Sequence, residues 1–167
     1  RSGRVTAAAP ALTVLVATSG RGRTVRGTLL HLRAQTIADR LEVILIGPEA
    51  SSFDDLAPAE TAGFAHCRRL DIGPFDEVER AFVPGIRAAT APLVALLENH
   101  VYPERGWAAE IVRAFEGPWS AVGSIITNAN TDTATSWVEH LMTYGRHDET
   151  ARGGEVARIP RNNSAFR

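Results

Sequence analysis

The sequence predicts an α/β sandwich built on a mostly parallel central sheet, and three observations carry that prediction. Short apolar runs alternate with segments of helical periodicity, as in chains that fold from strand–helix–strand units. The runs LTVLVA (12–17) and LEVILIG (41–47) are apolar at nearly every position, which is typical of strands covered on both faces. The chain has 167 residues, of which 44% are hydrophobic and 22% are charged. This size and composition indicate one globular domain, expected over residues 1–167.

The alternation predicts a definite order of elements. We expect the sheet to contain strands at 12–17, 41–46, 92–97 and 120–126, and we expect helices near 24–36, 105–116 and 133–144. Weaker patterns add a strand at 64–73, a helix at 76–89 and a short strand at 155–160. Sheets of this kind bind ligands at the carboxyl ends of their strands. Polar residues that directly follow a strand are therefore the first candidates for a site.

The helices are indicated by apolar spacing and by the residues at their ends. Val25, Leu29 and Leu32 recur about one helical turn apart, and Thr24 before them is expected to cap the first helix. In the helix at 76–89, Pro84–Gly85 is expected to shorten or kink the helix, since proline removes a backbone donor.

The composition excludes several chemistries. All 18 basic residues are arginine, so the lysine that a P-loop or a Schiff-base enzyme needs is missing. The single cysteine, Cys67, excludes an internal disulfide and a cysteine-rich zinc site, and its strand context predicts an inert thiol. A formal net charge of −1 gives no general attraction to nucleic acid. No segment has the roughly 18 consecutive apolar residues of a spanning helix. We expect no nucleic-acid partner and no transmembrane segment.

The turn after the first strand contains candidate anion-binding residues. Two glycines there suggest a dinucleotide-binding turn, but Val25 occupies the third glycine position and no acidic residue ends the second strand, so that site is not expected. Arg21 lies in the turn, and Arg23 and Arg26 follow at the start of a helix, where free backbone N–H groups attract anions. The alternative for Arg23 and Arg26 is a solvated arginine-rich helix start.

A carboxylate, an amide and an imidazole end the strand at 92–97. Glu98 and His100 could ligate a divalent metal through oxygen and nitrogen, provided that substrate oxygens complete the coordination shell. The alternative is structural: Glu98 pairs with an arginine, and His100 caps the next helix. Spacing alone favours the structural alternative.

Three segments of the chain resemble the family 2 glycosyltransferases, which have the GT-A fold. VLVATSGRGRTVRGTLLHLRAQT (14–36) is similar to the family's first strand, its P-T-Y-N-R turn and a helix that ends in A-Q-T. GIRAATAPLVALLENHVYPERGW (85–107) is similar to the segment in which G-I-x-x-A, a strand and a D-x-D triplet precede a P-x-W helix start. RIPRNNSAFR (158–167) is similar to the family's G-N-N-x-A-x-R stretch. The three matches span nearly the whole chain in the family's order.

The resemblance implies a GT-A-like α/β/α sandwich with a Rossmann-like sheet. It also implies a nucleotide-diphospho-sugar donor bound across the carboxyl ends of the first strands. The residues implied to bind this substrate are Thr18, Ser19, Arg21, Glu98, Asn99, Asn162 and Asn163. Glu98 and His100 stand in the D-x-D triplet and would hold a divalent metal, Mn²⁺ or Mg²⁺, which neutralises the diphosphate leaving group.

The chain departs from the family pattern in ways that bear on its substrate. His100 replaces the last aspartate of the triplet, and imidazole suits Mn²⁺ better than Mg²⁺. Ser19 stands where the family often has a base-stacking tyrosine, and Gly47–Pro48 where an aspartate usually holds the base, so the nucleotide is not identified. The family's catalytic base follows the N-N-x-A-x-R stretch. It is expected beyond Arg167, in which case the chain is a fragment.

Two functions from different classes follow. The first is an inverting, metal-assisted transfer of a sugar from the nucleotide donor to a carbohydrate or lipid acceptor, such as cell-envelope carbohydrate. Such a protein is expected in the cytoplasm, free or associated with a membrane, and the fragment alone could be inactive. The second is a non-catalytic GT-A-like domain that binds a nucleotide or a partner, which the altered triplet favours.

Overall fold

The computed structural model describes residues 9–148, 153–160 and 162–167 of the chain. The strands are β1 (Leu12–Ala17), β2 (Leu41–Gly47), β3 (His66–Asp71), β4 (Val94–Glu98), β5 (Ala121–Gly123) and β6 (Ser164–Phe166). The helices are α1 (Arg26–Arg33), α2 (Pro58–Thr61), α3 (Val78–Ala88), α4 (Trp107–Ala114) and α5 (Ala134–Tyr144). Short 3-10 turns lie at Gly22–Thr24, Ala38–Arg40 and Ala50–Phe53. The domain expected over 1–167 includes residues 1–8, 149–152 and 161, which lie outside the described residues.

The six strands form one sheet in the order β3-β2-β1-β4-β6-β5. β1 is parallel to both β2 and β4, and β2 is parallel to β3. β6 runs antiparallel to β4 on one side and to β5 on the other. The predicted α/β architecture with a mostly parallel sheet is confirmed. None of the helices in the described part of the chain is long and apolar enough to cross a membrane.

Alternate side chains of the central strands cover the two faces of the sheet. On one face, Val14 of β1 belongs to the core cluster that contains Leu29 of α1 and Ile111 of α4. On the other face, Leu15 of β1 belongs to the cluster that contains Phe82 of α3. Every residue of β1 and β2 is buried, which explains why both strands have almost continuous apolar sequences. The helices on both faces make the fold an α/β/α sandwich.

Pro84–Gly85 lies inside α3 and does not end it, since the helix continues to Ala88. Gly85 faces the sheet. A Cβ atom at this position would lie 2.5 Å from Cδ1 of Ile46 and 2.9 Å from Cδ1 of Leu15. The absence of a side chain therefore allows the backbone of α3 to pack directly on the strands.

The expectation that Thr24 caps the first helix is wrong. Its hydroxyl donates to the carbonyl of Arg21 at 2.7 Å, inside the 3-10 turn. The α-helix begins only at Arg26, without a side-chain cap. The cause is local: Thr24 belongs to the 3-10 turn that precedes the helix, and its hydroxyl interacts with Arg21 and Thr18 instead of with the helix N-terminus.

The expected strand at 155–160 is also wrong, because those residues contain no strand. The strand of this region is β6, which begins at Ser164 opposite Leu96 of β4. Just before it, Asn163 has a φ of 61° and donates its backbone N–H to the carbonyl of Leu96 at 2.8 Å. The segment after Asn163 forms the strand because it pairs with β4 on one side and with β5 on the other. Tertiary pairing, and not local sequence preference, therefore sets the position of this strand.

Strand β5 is shorter than the predicted 120–126. Gly123 packs against the segment that contains Pro160, so closely that a Cβ atom at position 123 would lie 2.7 Å from Cδ of Pro160. Beyond it, Ile126 donates its N–H to the carbonyl of His147 at 2.7 Å instead of to a strand. The chain thus leaves the sheet after Gly123.

Candidate functional site

The carboxyl ends of β1 and β4 lie side by side, although the two strands are distant in the chain. Ala17 pairs with Glu98 in the parallel register. From β1 the chain builds the sheet through β2 and β3 on one side and then places β4 on the other, so the strand order reverses at this point. In open α/β sheets such a reversal leaves a crevice in which ligands bind. Thr18, directly after β1, and Glu98, at the end of β4, both lie at this crevice.

Hydrogen bonds connect the residues after β1 to those at the end of β4. Nδ2 of Asn99 donates to Oγ1 of Thr18 at 2.9 Å, and the same oxygen accepts the N–H of Gly20 at 3.0 Å. Oγ1 of Thr18 also lies 3.0 Å from Oγ1 of Thr24. Because Thr24 donates its own hydrogen to the Arg21 carbonyl, the hydroxyl of Thr18 donates to Thr24. These contacts determine the direction of each hydrogen bond at Thr18.

The same reasoning determines the tautomer of His100. Because Nδ2 of Asn99 donates to Thr18, the Asn99 atom that lies 2.9 Å from Nδ1 of His100 is the amide oxygen, Oδ1. An amide oxygen only accepts, so Nδ1 carries the hydrogen, and Nε2 of the neutral ring carries a lone pair. That lone pair lies 3.3 Å from Oε2 of Glu98, which is also an acceptor. A cation bound between these two acceptors would be stabilised by both of them.

Among the described residues, three groups surround the carboxylate of Glu98, whose side chain is 15% exposed. Nδ2 of Asn162 donates to Oε1 at 2.6 Å. The hydroxyl of Tyr144 lies 3.1 Å from Oε2 and 3.3 Å from Oε1. Burial, together with the charge of Glu98, raises the pKa of Tyr144 to about 12, so the phenol remains a donor at neutral pH. His100 is the third neighbour, on Oε2.

Tyr144 is a site residue that sequence reasoning missed. It ends α5, 46 positions after Glu98, and nothing in its own segment indicates the contact. The sequence does predict a helix that ends near Tyr144, but it does not indicate which strand end that helix approaches.

The residues present fit a metal ion as a partial ligand set. Two adjacent ligands of one octahedral cation lie about 3 Å apart, since each bond is about 2.1 Å long. The separation of 3.3 Å between Nε2 of His100 and Oε2 of Glu98 is close to that value. No group of three or more His, Cys, Asp and Glu residues suited to a metal occurs in the described ranges. The pair would therefore need oxygen ligands from a bound substrate.

The two asparagines before β6 have amide atoms without partners. Asn163 is 3% exposed, and both its Nδ2 and its Oδ1 lack a hydrogen-bond partner among the described residues. Oδ1 of Asn162 is also buried and unpartnered, while its Nδ2 is on Glu98. Buried amide atoms are normally satisfied by protein, water or ligand. Hydroxyl groups of a ligand are one class of partner that would satisfy such atoms, and Asn162 lies beside Glu98.

Ser19 and Arg21 line a cavity of about 410 Å³ at the carboxyl ends of β1 and β2, together with Pro48 and Glu49. A second cavity of about 490 Å³ adjoins it towards β3. Glu98 is not among the residues that line either cavity. Thr18, in contrast, contacts both the turn at Gly20 and the triplet through Asn99. The described geometry thus places Ser19 and Arg21 on the β2 side of Thr18, and Glu98 on the β4 side.

Arg23 and Arg26, the other two arginines near the first turn, contact acidic residues of the fold. Nε of Arg26 pairs with Oε1 of Glu60 at 2.9 Å, and its guanidinium also donates to the carbonyl of Asp55. The backbone N–H of Arg23 donates to Oδ2 of Asp55 at 3.0 Å. These contacts favour the structural interpretation for Arg26 and leave Arg21 as the better candidate for an anion.

Two further expectations can be compared with the structure. His100 does not cap the next helix, because α4 has Gly106 at its N-cap and no side-chain cap. Burial raises the pKa of the half-buried Cys67 thiol to about 11, which agrees with an inert thiol.

Comparison of the sequence finds no matching family model and no matching curated protein. The fold, however, is similar to that of solved structures. One is a mannosyltransferase from Pyrobaculum calidifontis in complex with GDP-Man and Mn²⁺, with a TM-score of 0.57 and 21% identity over 73% of this chain. Another is S. aureus TarS, with a TM-score of 0.59 and 11% identity over 74% of this chain. TarS 1–349 in complex with UDP gives a TM-score of 0.56 at 16% identity.

At these identities the similarity shows the fold alone: the chain has a GT-A-like glycosyltransferase fold. The aligned region covers 37% of the mannosyltransferase chain, 23% of TarS and 38% of TarS 1–349. The chain therefore spans well under half of each of these proteins.

Proposed function

We propose that this chain is the donor-binding part of a glycosyltransferase of the family 2 type. The reaction is an inverting transfer of a sugar from a nucleotide-diphospho-sugar to a carbohydrate or lipid acceptor. The observation that carries the proposal is the chain of contacts from Thr18 to Glu98: hydrogen bonds join Thr18 to Asn99 and Asn99 to His100, and Nε2 of His100 lies 3.3 Å from Oε2 of Glu98. It joins two strand ends at the point of a glycosyltransferase fold where the strand order reverses.

The proposed role of the triplet follows from the charge that develops in the reaction. Departure of a nucleoside diphosphate leaves negative charge on its oxygens, and a divalent cation bound at Glu98 and His100 would stabilise that charge. Asn99 orients His100 so that Nε2 presents a lone pair towards Glu98. Orientation of a ligating histidine through its other ring nitrogen is the usual arrangement around metals. Arg21 lines the neighbouring cavity and would contribute a further positive charge.

The proposed sugar contacts come from Asn162 and Asn163. A sugar hydroxyl both donates and accepts hydrogen bonds, so it suits amide atoms that have no partner among the residues that the structure describes. Asn162 also holds Glu98, which connects sugar binding to the position of the carboxylate.

A second candidate, a non-catalytic nucleotide-binding domain, has a specific observation in its favour. The carboxylate of Glu98 already has three neighbours within the described part of the chain, and the triplet itself supplies two metal-ligating side chains, Glu98 and His100. In such a domain, Glu98 would stabilise the fold, and a nucleotide would bind equally well without a metal.

Titration calorimetry with GDP and UDP, in Mn²⁺ and then in chelator, tests the proposal. We expect at least one nucleotide to bind more tightly with Mn²⁺, and His100→Ala and Glu98→Gln to remove most of that difference. The matched controls are His66→Ala, an exposed histidine at the start of β3, and Glu116→Gln, an exposed glutamate after α4. Equal binding in chelator would favour the non-catalytic domain, and no binding of either nucleotide under both conditions would contradict the proposal.

A further inference from the structure

Two separate segments in the described ranges hold the carboxylate of Glu98. Asn162, before β6, contacts Oε1 alone at 2.6 Å. Tyr144, from α5, reaches both oxygens, at 3.1 Å to Oε2 and 3.3 Å to Oε1. Rotation about the last bond of a glutamate side chain is soft, so one hydrogen bond to one oxygen leaves the orientation of the other oxygen poorly defined. The hydroxyl of Tyr144 supplies the second constraint.

The position of Tyr144 is itself well determined. Thr133 caps the start of α5 by accepting the N–H of Ser136 at 3.2 Å. At the other end, the carbonyl of Tyr144 accepts the N–H of His147 at 2.6 Å, and the carbonyl of His147 accepts the N–H of Ile126 at 2.7 Å. The last turn of α5 is thus attached to the segment that follows β5.

The ring of Tyr144 has a packed neighbour on its own helix. The ring of His140 lies with its centroid 6.0 Å away, and His140 is only 8% exposed. The phenol therefore approaches Glu98 from a fixed direction.

We infer that Tyr144 is a positioning residue: its hydroxyl orients the carboxylate of Glu98 so that Oε2 faces Nε2 of His100. The relevance to sugar transfer rests on the proposed function, but the orientation itself does not. A tyrosine that merely attached α5 to the sheet would affect stability and leave the environment of His100 unchanged. The two roles therefore differ in a measurable way.

The test compares Tyr144→Phe with Tyr102→Phe, since the chain has two tyrosines. Tyr102 is the matched control, because the centroid of its ring lies 5.3 Å from that of His31 on α1, and Tyr102 is not among the described residues that hydrogen-bond to Glu98. Side-chain ¹⁵N NMR of histidine-labelled, metal-free protein at one pH reports on Nε2 of His100, assigned with His100→Ala. We expect this resonance to shift in Tyr144→Phe and not in Tyr102→Phe. An unchanged resonance in Tyr144→Phe would overturn the inference.

A second measurement does not depend on the folding of Tyr144→Phe. In Tyr102→Phe, Tyr144 is the sole tyrosine, so the ring carbon that bears its hydroxyl can be observed by ¹³C labelling without assignment. Glu98→Gln in this background should shift that carbon, because a neutral amide replaces the charged acceptor. A resonance that does not move would contradict the contact and overturn the inference.

Mn²⁺ binding connects the inference to the proposed function. With GDP or UDP present, Tyr144→Phe should weaken Mn²⁺ binding by roughly tenfold, the lower range for loss of a group that orients a metal ligand. Unchanged Mn²⁺ affinity would overturn the positioning role. If the His100 resonance shifts in Tyr144→Phe while the wild type binds neither Mn²⁺ nor nucleotide, the orienting role stands and the proposed function fails.

Discussion

Nδ2 of Asn99 donates to Oγ1 of Thr18 across 2.9 Å and joins the carboxyl end of β4 to that of β1. The backbone carbonyl of Asn99 is held as well, since it accepts from Oγ1 of Thr28 on α1 at 2.9 Å. The middle residue of the triplet is therefore bonded to two other elements. This leaves Glu98 and His100, on either side of it, with defined relative positions.

Thr18→Val tests the connection between the two strand ends. Valine keeps the shape of threonine but cannot accept from Asn99 or from Gly20, so two donors lose their partner. We expect a loss of about 1–3 kcal/mol in unfolding free energy, the usual range for partly buried unsatisfied groups. Denaturant unfolding measures it, with Thr135→Val, exposed on α5, as the control. A loss no larger than that of the control would contradict the role given to Thr18.

Gly85→Ala tests the close packing of α3 on the sheet. The added methyl group would meet Cδ1 of Ile46 at 2.5 Å and Cδ1 of Leu15 at 2.9 Å. We expect a destabilisation of about 1–3 kcal/mol, as for other overpacked cores, despite the higher helix propensity of alanine. Gly106→Ala is the control, because nothing lies within 4 Å of a Cβ atom there. Thermal unfolding of both variants measures the difference, and equal melting temperatures would show that the neighbouring side chains move aside.

Glu42 at the start of β2 should make stability depend on acid pH. Burial raises the pKa of this carboxyl, but hydrogen bonds from Thr13, from the Thr90 backbone and from Arg68 outweigh it and hold the pKa below its reference value of 4.5. A lowered pKa in the folded state contributes stability that is present above pH 4.5 and lost as pH falls through the folded value.

Glu42→Gln removes this contribution. We expect the variant to be less stable at neutral pH by about 2 kcal/mol, the range for hydrogen bonds to a charged group. Its stability should also fall less steeply than that of the wild type below pH 4.5. Urea unfolding over a pH series measures both, and parallel curves for the two proteins would contradict the prediction.

Asn163→Gly tests a sugar contact of the Asn163 side chain without disturbing the backbone conformation at this position. Its φ of 61° lies in the left-handed region, which glycine adopts freely and alanine adopts at a cost of about 1–2 kcal/mol. Asn163→Gly should therefore keep the fold while removing the unpartnered amide. We expect it to weaken binding of GDP-mannose or UDP-glucose and to leave binding of GDP and UDP unchanged. Calorimetry with each pair measures this, and an equal effect on both members of a pair would exclude a sugar contact.

The sequence by itself determined the elements whose signals are local. β1 and β2 are buried at every position, which agrees with their short, β-branched apolar runs, the pattern of strands covered on both faces. The ends of α5 were also predictable, because Thr133 accepts the N–H of Ser136 and Gly145 follows the last turn. The polar triplet that begins at the last residue of β4 indicated a ligand-facing position, because sheets of this kind bind ligands at the carboxyl ends of their strands.

Only the tertiary structure decided which groups meet at that position. The last strand, β6, formed at Ser164–Phe166 and not at 155–160. A strand forms where neighbouring backbone groups need hydrogen-bond partners, and the position between β4 and β5 begins beside Leu96, opposite Ser164. Tyr144 and Asn162 reach Glu98 from 46 and 64 positions away in the chain. Hydrogen bonds over such separations leave no periodic pattern in a sequence. They depend on how α5 and β6 pack against the sheet, and packing is a property of the whole fold.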